Sequence, residues 1–240
     1  MIAPPKTIPT ELFDAYTLGG QVSVKDWYHF ESSNRRRVFT LDQIEEYREM
    51  VRRRENAYYG VTDSYLYEAL KKYPIAGKTV AILGSLKPWY ECICLEHGAT
   101  PITIEYNEID NQAGLWECTT VDEYKANPRM FDCAFSISSF EHDGLGRYGD
   151  PLNPEGDLDA MRDTKSMIEE DGHLFLSVPV GMDTIWWTAH RVYGQLRMPK
   201  LFKGWNTLEA FGFTDNDLIK DRKKKNSHQP VFVLENKGLQ

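Results

Sequence analysis

Three things are scarce in this sequence, and each shortage removes a class of protein. Cysteine is the first. The 240 residues hold four, Cys92, Cys94, Cys118 and Cys133, with no C-x-x-C pair and no Cys/His cluster at zinc-like spacing. A disulfide scaffold and a zinc-finger plan are therefore excluded, and the apolar company of Cys92-Ile93-Cys94-Leu95 predicts reduced core thiols. Long apolar runs are the second: nothing approaches the ~18 consecutive residues that span a bilayer. The start, Met1-Ile2-Ala3-Pro4-Pro5, also lacks the basic-then-apolar plan of a secretion signal, so no membrane partner and a cytoplasmic address are expected. The third is positive charge, with 28 Lys and Arg against 36 Asp and Glu and a formal net charge of -8. That balance argues against a general affinity for nucleic acid and favours small substrates. Local basic runs exist at Arg35-Arg36-Arg37 and Arg52-Arg53-Arg54, and are expected to be solvated faces. Internal repeats and low-complexity segments are missing as well.

What is present is globular: 41% hydrophobic and 27% charged residues over a length that suits one generous α/β domain with an N-terminal elaboration. The division falls between an arm with a helical extension, residues 1–75, and a main domain, residues 76–240. Before Thr40 the chain is rich in Pro, aromatics and turn formers and shows no regular periodicity, although Trp27, Tyr28 and Phe30 predict that it packs on something. Thr40-Leu41-Asp42-Gln43 resembles a capping box, and Leu41, Ile44, Tyr47 and Val51 recur at helical spacing, which predicts a helix to about Glu55. Gly60 breaks it. Asp63 or Ser64 is placed to cap a second helix that stops before Pro74.

Strand and helix then alternate. Lys78 to Gly84 is a short apolar run ending in glycine; Trp89 to His97 suits a helix closed by Gly98; Pro101 to Glu105 is a second strand. Phe131 to Ser138 is a third, Leu158 to Glu170 a helix, and Gly172 to Val178 a fourth strand. Strands separated by helices predict a parallel sheet, since parallel neighbours need a crossover. Phe211-Gly212-Phe213 and Pro230 to Leu234 lack room for a helical crossover between them, so an antiparallel hairpin is expected at the sheet edge.

Ligands of open α/β sheets lie beyond the carboxyl ends of the strands, where strand order reverses. After the first strand comes Gly84-Ser85-Leu86-Lys87-Pro88-Trp89, where glycine lets backbone approach a ligand. After the second comes Glu105, an acid about 20 residues past that turn and so placed to accept two ribose hydroxyls. The third turn, Ser138 to Pro151, holds three glycines and several ionisable groups, and its His142 has the chemistry to take a proton near neutral pH. Asp143 and Asp150 share that turn. The fourth turn leads to Trp186-Trp187-Thr188-Ala189-His190-Arg191-Val192-Tyr193, which suits either the wall of an acceptor pocket, with His190 and Arg191 orienting substrate, or an amphipathic helix packed on the sheet.

Together these motifs resemble class I S-adenosylmethionine-dependent methyltransferases. Phe131-Asp132 opening a strand that ends in Ser139-Phe140-Glu141-His142 is similar to the superfamily's fourth motif; Asp159 to Gly172, then Leu174 to Pro179, is similar to the following helix, turn and fifth strand. More narrowly, Phe140 to Pro151, His190 to Gly194 and Phe202-Lys203-Gly204-Trp205 resemble an uncharacterised methyltransferase-like family first catalogued as a nematode domain of unknown function. The resemblance implies a Rossmann-like fold with an antiparallel C-terminal edge, S-adenosylmethionine bound by Gly84, Ser85, Glu105, Tyr106 and Ser138, and catalysis by His142, Asp143 and His190. It implies methyl transfer to a small hydroxylated acceptor, a sugar or sugar nucleotide, because related bacterial sequences accompany surface-glycan synthesis. One departure is plain: the acid that usually precedes the first motif's glycine is replaced by Ile82, and later glycines by Leu86 and Pro88. Either Glu91 or a main-chain carbonyl takes that acid's place, or the chain is a non-catalytic binding or scaffolding relative. A divalent ion on Asp143, Asp150 and His190 would be a further variant, holding vicinal sugar hydroxyls.

Overall fold

The computed structural model describes residues 3–31, 36–57, 59–224 and 227–238; Arg35 of the first basic run lies outside them. In chain order, α1 (Thr10–Thr17), β1 (Ser23–Trp27) and β2 (Arg37–Phe39) come before Thr40, so the N-terminal stretch is regular where its composition suggested an aperiodic arm. The helix is only two turns long and ends on left-handed Leu18 followed by two glycines, too short for periodicity to register. Next is α2 (Leu41–Arg52), entered as expected with the Thr40 hydroxyl accepting from the Gln43 amide, and ended at Arg52 rather than near Glu55. The following helix, α3 (Val61–Lys72), starts earlier than expected because Gly60 occupies the cap position. Asp63 is not the cap. Buried within α3, its carboxylate accepts from the Ala57 amide and the Tyr90 hydroxyl, so it joins elements instead of starting one.

The chain then runs β3 (Thr79–Leu83), α4 (Trp89–Glu96), β4 (Thr100–Glu105), β5 (Ile109–Asn111), β6 (Glu117–Thr120), α5 (Val121–Ala126), β7 (Phe131–Ile137), α6 (Gly156–Met167) and β8 (Ile168–Ser177). It continues with β9 (Thr184–Thr188), β10 (His190–Val192), α7 (Met198–Leu201), β11 (Asn206–Phe211) and β12 (Val231–Glu235). Seven strands form the main sheet in the order β11-β12-β8-β7-β3-β4-β6. The pairs from β8 to β6 are parallel and the β11–β12 and β12–β8 pairs antiparallel, which is the expected edge hairpin. Strand order reverses at β3, flanked by β4 on one side and β7 on the other, so Gly84, Glu105 and Ser138 leave the sheet at one switch point.

Both faces of the sheet are covered, which is why its central strands read as continuous apolar runs. Val80, Ile82, Phe135 and Phe175 pack on one side with Trp89, Leu66 and Ile44 from α4, α3 and α2, whereas Ala81, Leu83, Leu174 and Leu176 pack on the other with Met161 and Leu201. Alternation along a strand sends neighbours to opposite cores. Three of the cysteines are buried, and all four are free thiols.

Two expectations fail here. The helix predicted to Glu170 stops at Met167, because Ile168 already pairs with Phe131 and the Asn236 amide donates to the carbonyls of Lys165 and Ile168. Residues 184–192 form no helix: β9 pairs in parallel with β1, from Ser23 opposite Thr184 to Trp27 opposite Thr188, and antiparallel with β10. The partner strand comes from the N-terminal segment, which no local pattern announces. No helix among the described residues is long and apolar enough to cross a membrane.

Candidate active site

A cavity of about 680 Å³ opens at the switch point, lined by all three strand-end turns and within the range of small-molecule sites. Gly84 sits at φ +82, and a Cβ there would come 2.4 Å from the Ser139 hydroxyl oxygen; only glycine lets these two turns approach. Ser85 is buried beside it, its hydroxyl donating to the Lys87 carbonyl. Leu86, Pro88 and Trp89 do not plug the space. Trp89 is 1% exposed and packs on the Tyr47 ring in the core, while Leu86 is exposed at the rim.

Glu105 ends β4 with its carboxylate accepting from the amides of Tyr106, at 2.8 Å, and Ser85, at 3.4 Å. Tyr106 itself is 60% exposed at the rim. Arg37 of β2 reaches the same place, donating to the Glu105 carboxylate and, at 3.0 Å, to the Ser85 carbonyl. That contact is long-range in sequence and was not anticipated. Phe39, fully buried against Trp116, and the parallel β2–β5 ladder hold Arg37 there. The other basic run is a solvated face as expected: Arg52 pairs with Glu49 and Glu96, and Arg53 with Glu55.

Glu91 does not replace the missing first-motif acid in the cavity wall. Its carboxyl lies wholly buried behind the wall, accepting from Thr103 at 2.8 Å, and burial lifts it to about 7. A main-chain carbonyl remains the alternative, and Ser138, in a left-handed turn at φ 55, borders the cavity.

The third turn builds the opposite end. His142 is held by its Nδ1, which donates to the Ala189 carbonyl at 2.6 Å, so that Nε2 keeps a lone pair toward the cavity. Burial, then the Arg147 guanidinium, hold its imidazole well below the ordinary range, and it is therefore neutral. Arg147 donates to the Ala189 carbonyl and to Glu31. His190 stands with its ring centroid 6.4 Å from that of His142 and edge-on to Trp27, and burial and Arg147 pull it down to about 4. Asp143 lines the cavity too, its carboxyl raised well above the usual range by burial and by nearby Asp150. Asp150 is occupied in the loop, accepting from the amides of Gly144, Gly146 and Tyr148. Among the described residues no group of three or more His, Cys, Asp or Glu side chains converges as a metal site would require.

All eight residues singled out in the sequence, Gly84, Ser85, Glu105, Tyr106, Ser138, His142, Asp143 and His190, border this one cavity. Arg191 does not: fully buried, it donates to the carbonyls of Asp143 and Asn153 and so braces the turn from behind. Arg37, Glu141, Arg147, Tyr148 and Gln229 line the cavity as well. Glu141 and Arg147 stood in the turn already marked, whereas Arg37 and Gln229 carried no local signal.

The model of the family described as Caenorhabditis protein of unknown function, DUF268, matches residues 77–239. The chain belongs to that family. No curated protein matches it significantly. Among solved structures it is similar to the Burkholderia thailandensis 1,6-didemethyltoxoflavin-N1-methyltransferase with bound 1,6-didemethyltoxoflavin and S-adenosylhomocysteine. That match has 10% identity, covers 98% of this chain and 92% of that one, and has a TM-score of 0.57. It is also similar to the [4+2]-cyclase SpnF, at 11% identity, 98% and 97% coverage and TM-score 0.52. A third is an S-adenosylmethionine-dependent methyltransferase from Clostridium acetobutylicum, at 10% identity, 81% and 97% coverage and TM-score 0.50. The chain spans 48% of the length of a further structure it matches, from Streptococcus mutans, at TM-score 0.46. At such identities the likeness establishes architecture: this DUF268 member has the Rossmann-like class I methyltransferase fold. The family match covers every cavity residue named above except Arg37, which belongs to the segment preceding it.

Proposed function

We propose that the chain is an S-adenosylmethionine-dependent O-methyltransferase acting on a small hydroxylated acceptor, a sugar or sugar nucleotide, with His142 as the base. The observation that carries the reading is the set of His142: Nδ1 committed to Ala189, the ring neutral, Nε2 facing the cavity that Gly84 and Glu105 also line. The residues present suit the cofactor. Gly84 turns the chain at φ +82 on the cavity wall, where a side chain would run into Ser139, and Glu105 presents a carboxylate about 20 residues on, the arrangement that takes a ribose.

When bound, the cofactor supplies an electrophilic methyl group. Glu105 would accept hydrogen bonds from the ribose hydroxyls, Gly84, Ser85 and Ser138 would hold the amino-acid end, and Tyr106 stands at the rim. His142 would take the acceptor's hydroxyl proton onto Nε2, and the Ala189 carbonyl would steady the resulting imidazolium through Nδ1–H. Positioning and that proton transfer are what such a displacement asks of a protein.

Calorimetry with S-adenosylhomocysteine tests this. Glu105→Ala is expected to weaken binding by tenfold or more, a loss of about 1.4 kcal/mol or greater. Wild-type chain giving neither heat nor thermal shift with either cofactor form would refute it. One observation favours the second reading, a binding module without catalysis: the Arg37 guanidinium occupies the Glu105 carboxylate and Ser85 carbonyl between which a ribose would lie. If the cofactor reading holds, Arg37 competes with the ribose. Arg37→Ala is then expected to tighten S-adenosylhomocysteine binding several-fold in the same titration, and unchanged or weaker binding would show that it does not compete.

A further inference from the structure

The acceptor end of the cavity contains more hydrogen-bond acceptors than the chain itself satisfies. Glu141, 1% exposed, takes one hydrogen bond on Oε1, from the Ser138 hydroxyl at 2.6 Å, and none on Oε2. Gln229 donates through Nε2 to the oxygens of Ser138, at 3.2 Å, and Ser227, at 3.1 Å, which leaves its buried Oε1 unmatched. His142 Nε2 lies 3.7 Å from Glu141 Oε1. Three acceptor atoms are thus gathered around one small region, oriented by a single chain of donations from Gln229 to Ser138 to Glu141.

The two guanidiniums nearby act on the Glu141 carboxyl through space but make their hydrogen bonds to other groups. Arg147 donates to the Ala189 carbonyl and Glu31, Arg191 to the carbonyls of Asp143 and Asn153. Burying a carboxylate oxygen without a partner costs its full desolvation, and native proteins leave few such atoms unexplained. Burial lifts the Glu141 carboxyl to about 7 against the pull of the Ser138 hydroxyl, Arg147 and Arg191, and its Oε2 keeps no hydrogen-bond partner from the chain. A group retained at the expense of stability marks a ligand site.

Building on the methyltransferase reading, we propose that Glu141 accepts a second hydroxyl of the acceptor beside the one His142 deprotonates, so that the substrate is a vicinal diol and not an isolated alcohol. Adjacent hydroxyls are what two acceptors set side by side, one carboxylate and one imidazole, can engage together. The diol's second hydroxyl then fixes which oxygen faces Nε2, and Glu141 acts as a substrate-positioning residue.

The test uses the full chain, labelled with 13C-histidine and saturated with S-adenosylhomocysteine. The His142 resonance is identified by its loss in His142→Asn. Adding cis-1,2-cyclohexanediol is expected to shift that resonance at concentrations where cyclohexanol does not, and Glu141→Gln is expected to abolish the difference while binding S-adenosylhomocysteine as wild type does. Glu141→Gln should melt no lower than wild type at pH 8, since it removes an unpartnered buried charge. Equal responses to the two alcohols, or none to either, would overturn the proposal, and that comparison needs no variant. Survival of the diol-specific shift in Glu141→Gln would overturn it too. A loss of S-adenosylhomocysteine affinity matching that of Glu105→Ala would assign the carboxylate to the cofactor instead. Absence of any thermal shift with S-adenosylhomocysteine, measured before an alcohol is added, would sink the methyltransferase reading separately.

Discussion

Turnover of a hydroxylated acceptor is expected to fall about 100- to 10,000-fold in His142→Asn, the contribution of a positioned general base, with S-adenosylhomocysteine affinity unchanged. Asparagine is chosen because its amide can still donate to the Ala189 carbonyl that His142 Nδ1 holds at 2.6 Å, so the turn keeps its anchor and only the Nε2 lone pair is lost. Labelled methyl transfer measured under saturating cofactor checks this, and a decrease of less than about tenfold, roughly 1.4 kcal/mol of barrier, would remove His142 as the base. The pH profile gives a second handle. An ordinary imidazole becomes protonated as pH falls through about 6.5. Here burial and Arg147 keep the ring neutral well below that value, so the acid limb of the wild-type profile should not show a break at 6.5 belonging to this group.

Loss of about 3–5 kcal/mol of folding stability is expected for Asp157→Asn, because removing one partner of a buried ion pair strands the other. Asp157 stands in the first turn of α6, wholly buried, and accepts from Arg197 Nε at 2.9 Å and the Tyr193 hydroxyl at 2.9 Å, with Arg191 Nε 3.7 Å away. Burial alone would raise this carboxyl; Arg191 and Arg197 outweigh it and hold it below the ordinary carboxylate range. The sign follows: ionised Asp157 stabilises the fold above the ordinary aspartate range, and that contribution is lost as pH falls through the depressed folded value. Without the carboxylate, two buried guanidiniums face each other. For a chain of this length the loss corresponds to a melting point lower by about 10 °C, read by thermal or denaturant unfolding. Since Arg191 also carries the carbonyls of Asp143 and Asn153, the same variant should loosen the turn that presents His142. A drop below about 1 kcal/mol would mean the network contributes little beyond a surface pair.

Architecture by itself does not name the reaction. The same fold is shared by a methyltransferase with bound S-adenosylhomocysteine and by a [4+2]-cyclase, each matched over nearly the whole chain. What distinguishes this member are its own side chains at the strand ends: a neutral imidazole, an unmatched buried carboxylate, and an arginine laid on the Glu105 carboxylate.

The sequence by itself determined the parallel sheet, the edge hairpin and the three turns that supply the cavity, because each depends on local pattern: apolar runs of strand length, the Gly84 turn, and a glycine-rich loop that no core would accept. Gly84, Glu105 and His142 were legible for the same reason, as each stands at the end of a strand or in the turn that follows it. Tertiary structure decided the rest. Whether Trp186 and Trp187 lie on a strand depends on β1, whose residues arrive from the far end of the chain. Arg37 reaches Glu105, Glu31 reaches Arg147 and Gln229 reaches Ser138 only after folding, and nothing in the spacing of such residues encodes those meetings. Glu91 and Glu141 show the limit most clearly. Glu91, in the first turn of α4, is sealed behind the cavity wall on Thr103, whereas Glu141, in the turn after β7, lines the cavity beside His142. Which of the two carboxyls reaches the cavity is set by how helix and turn pack on the sheet rather than by the residue itself.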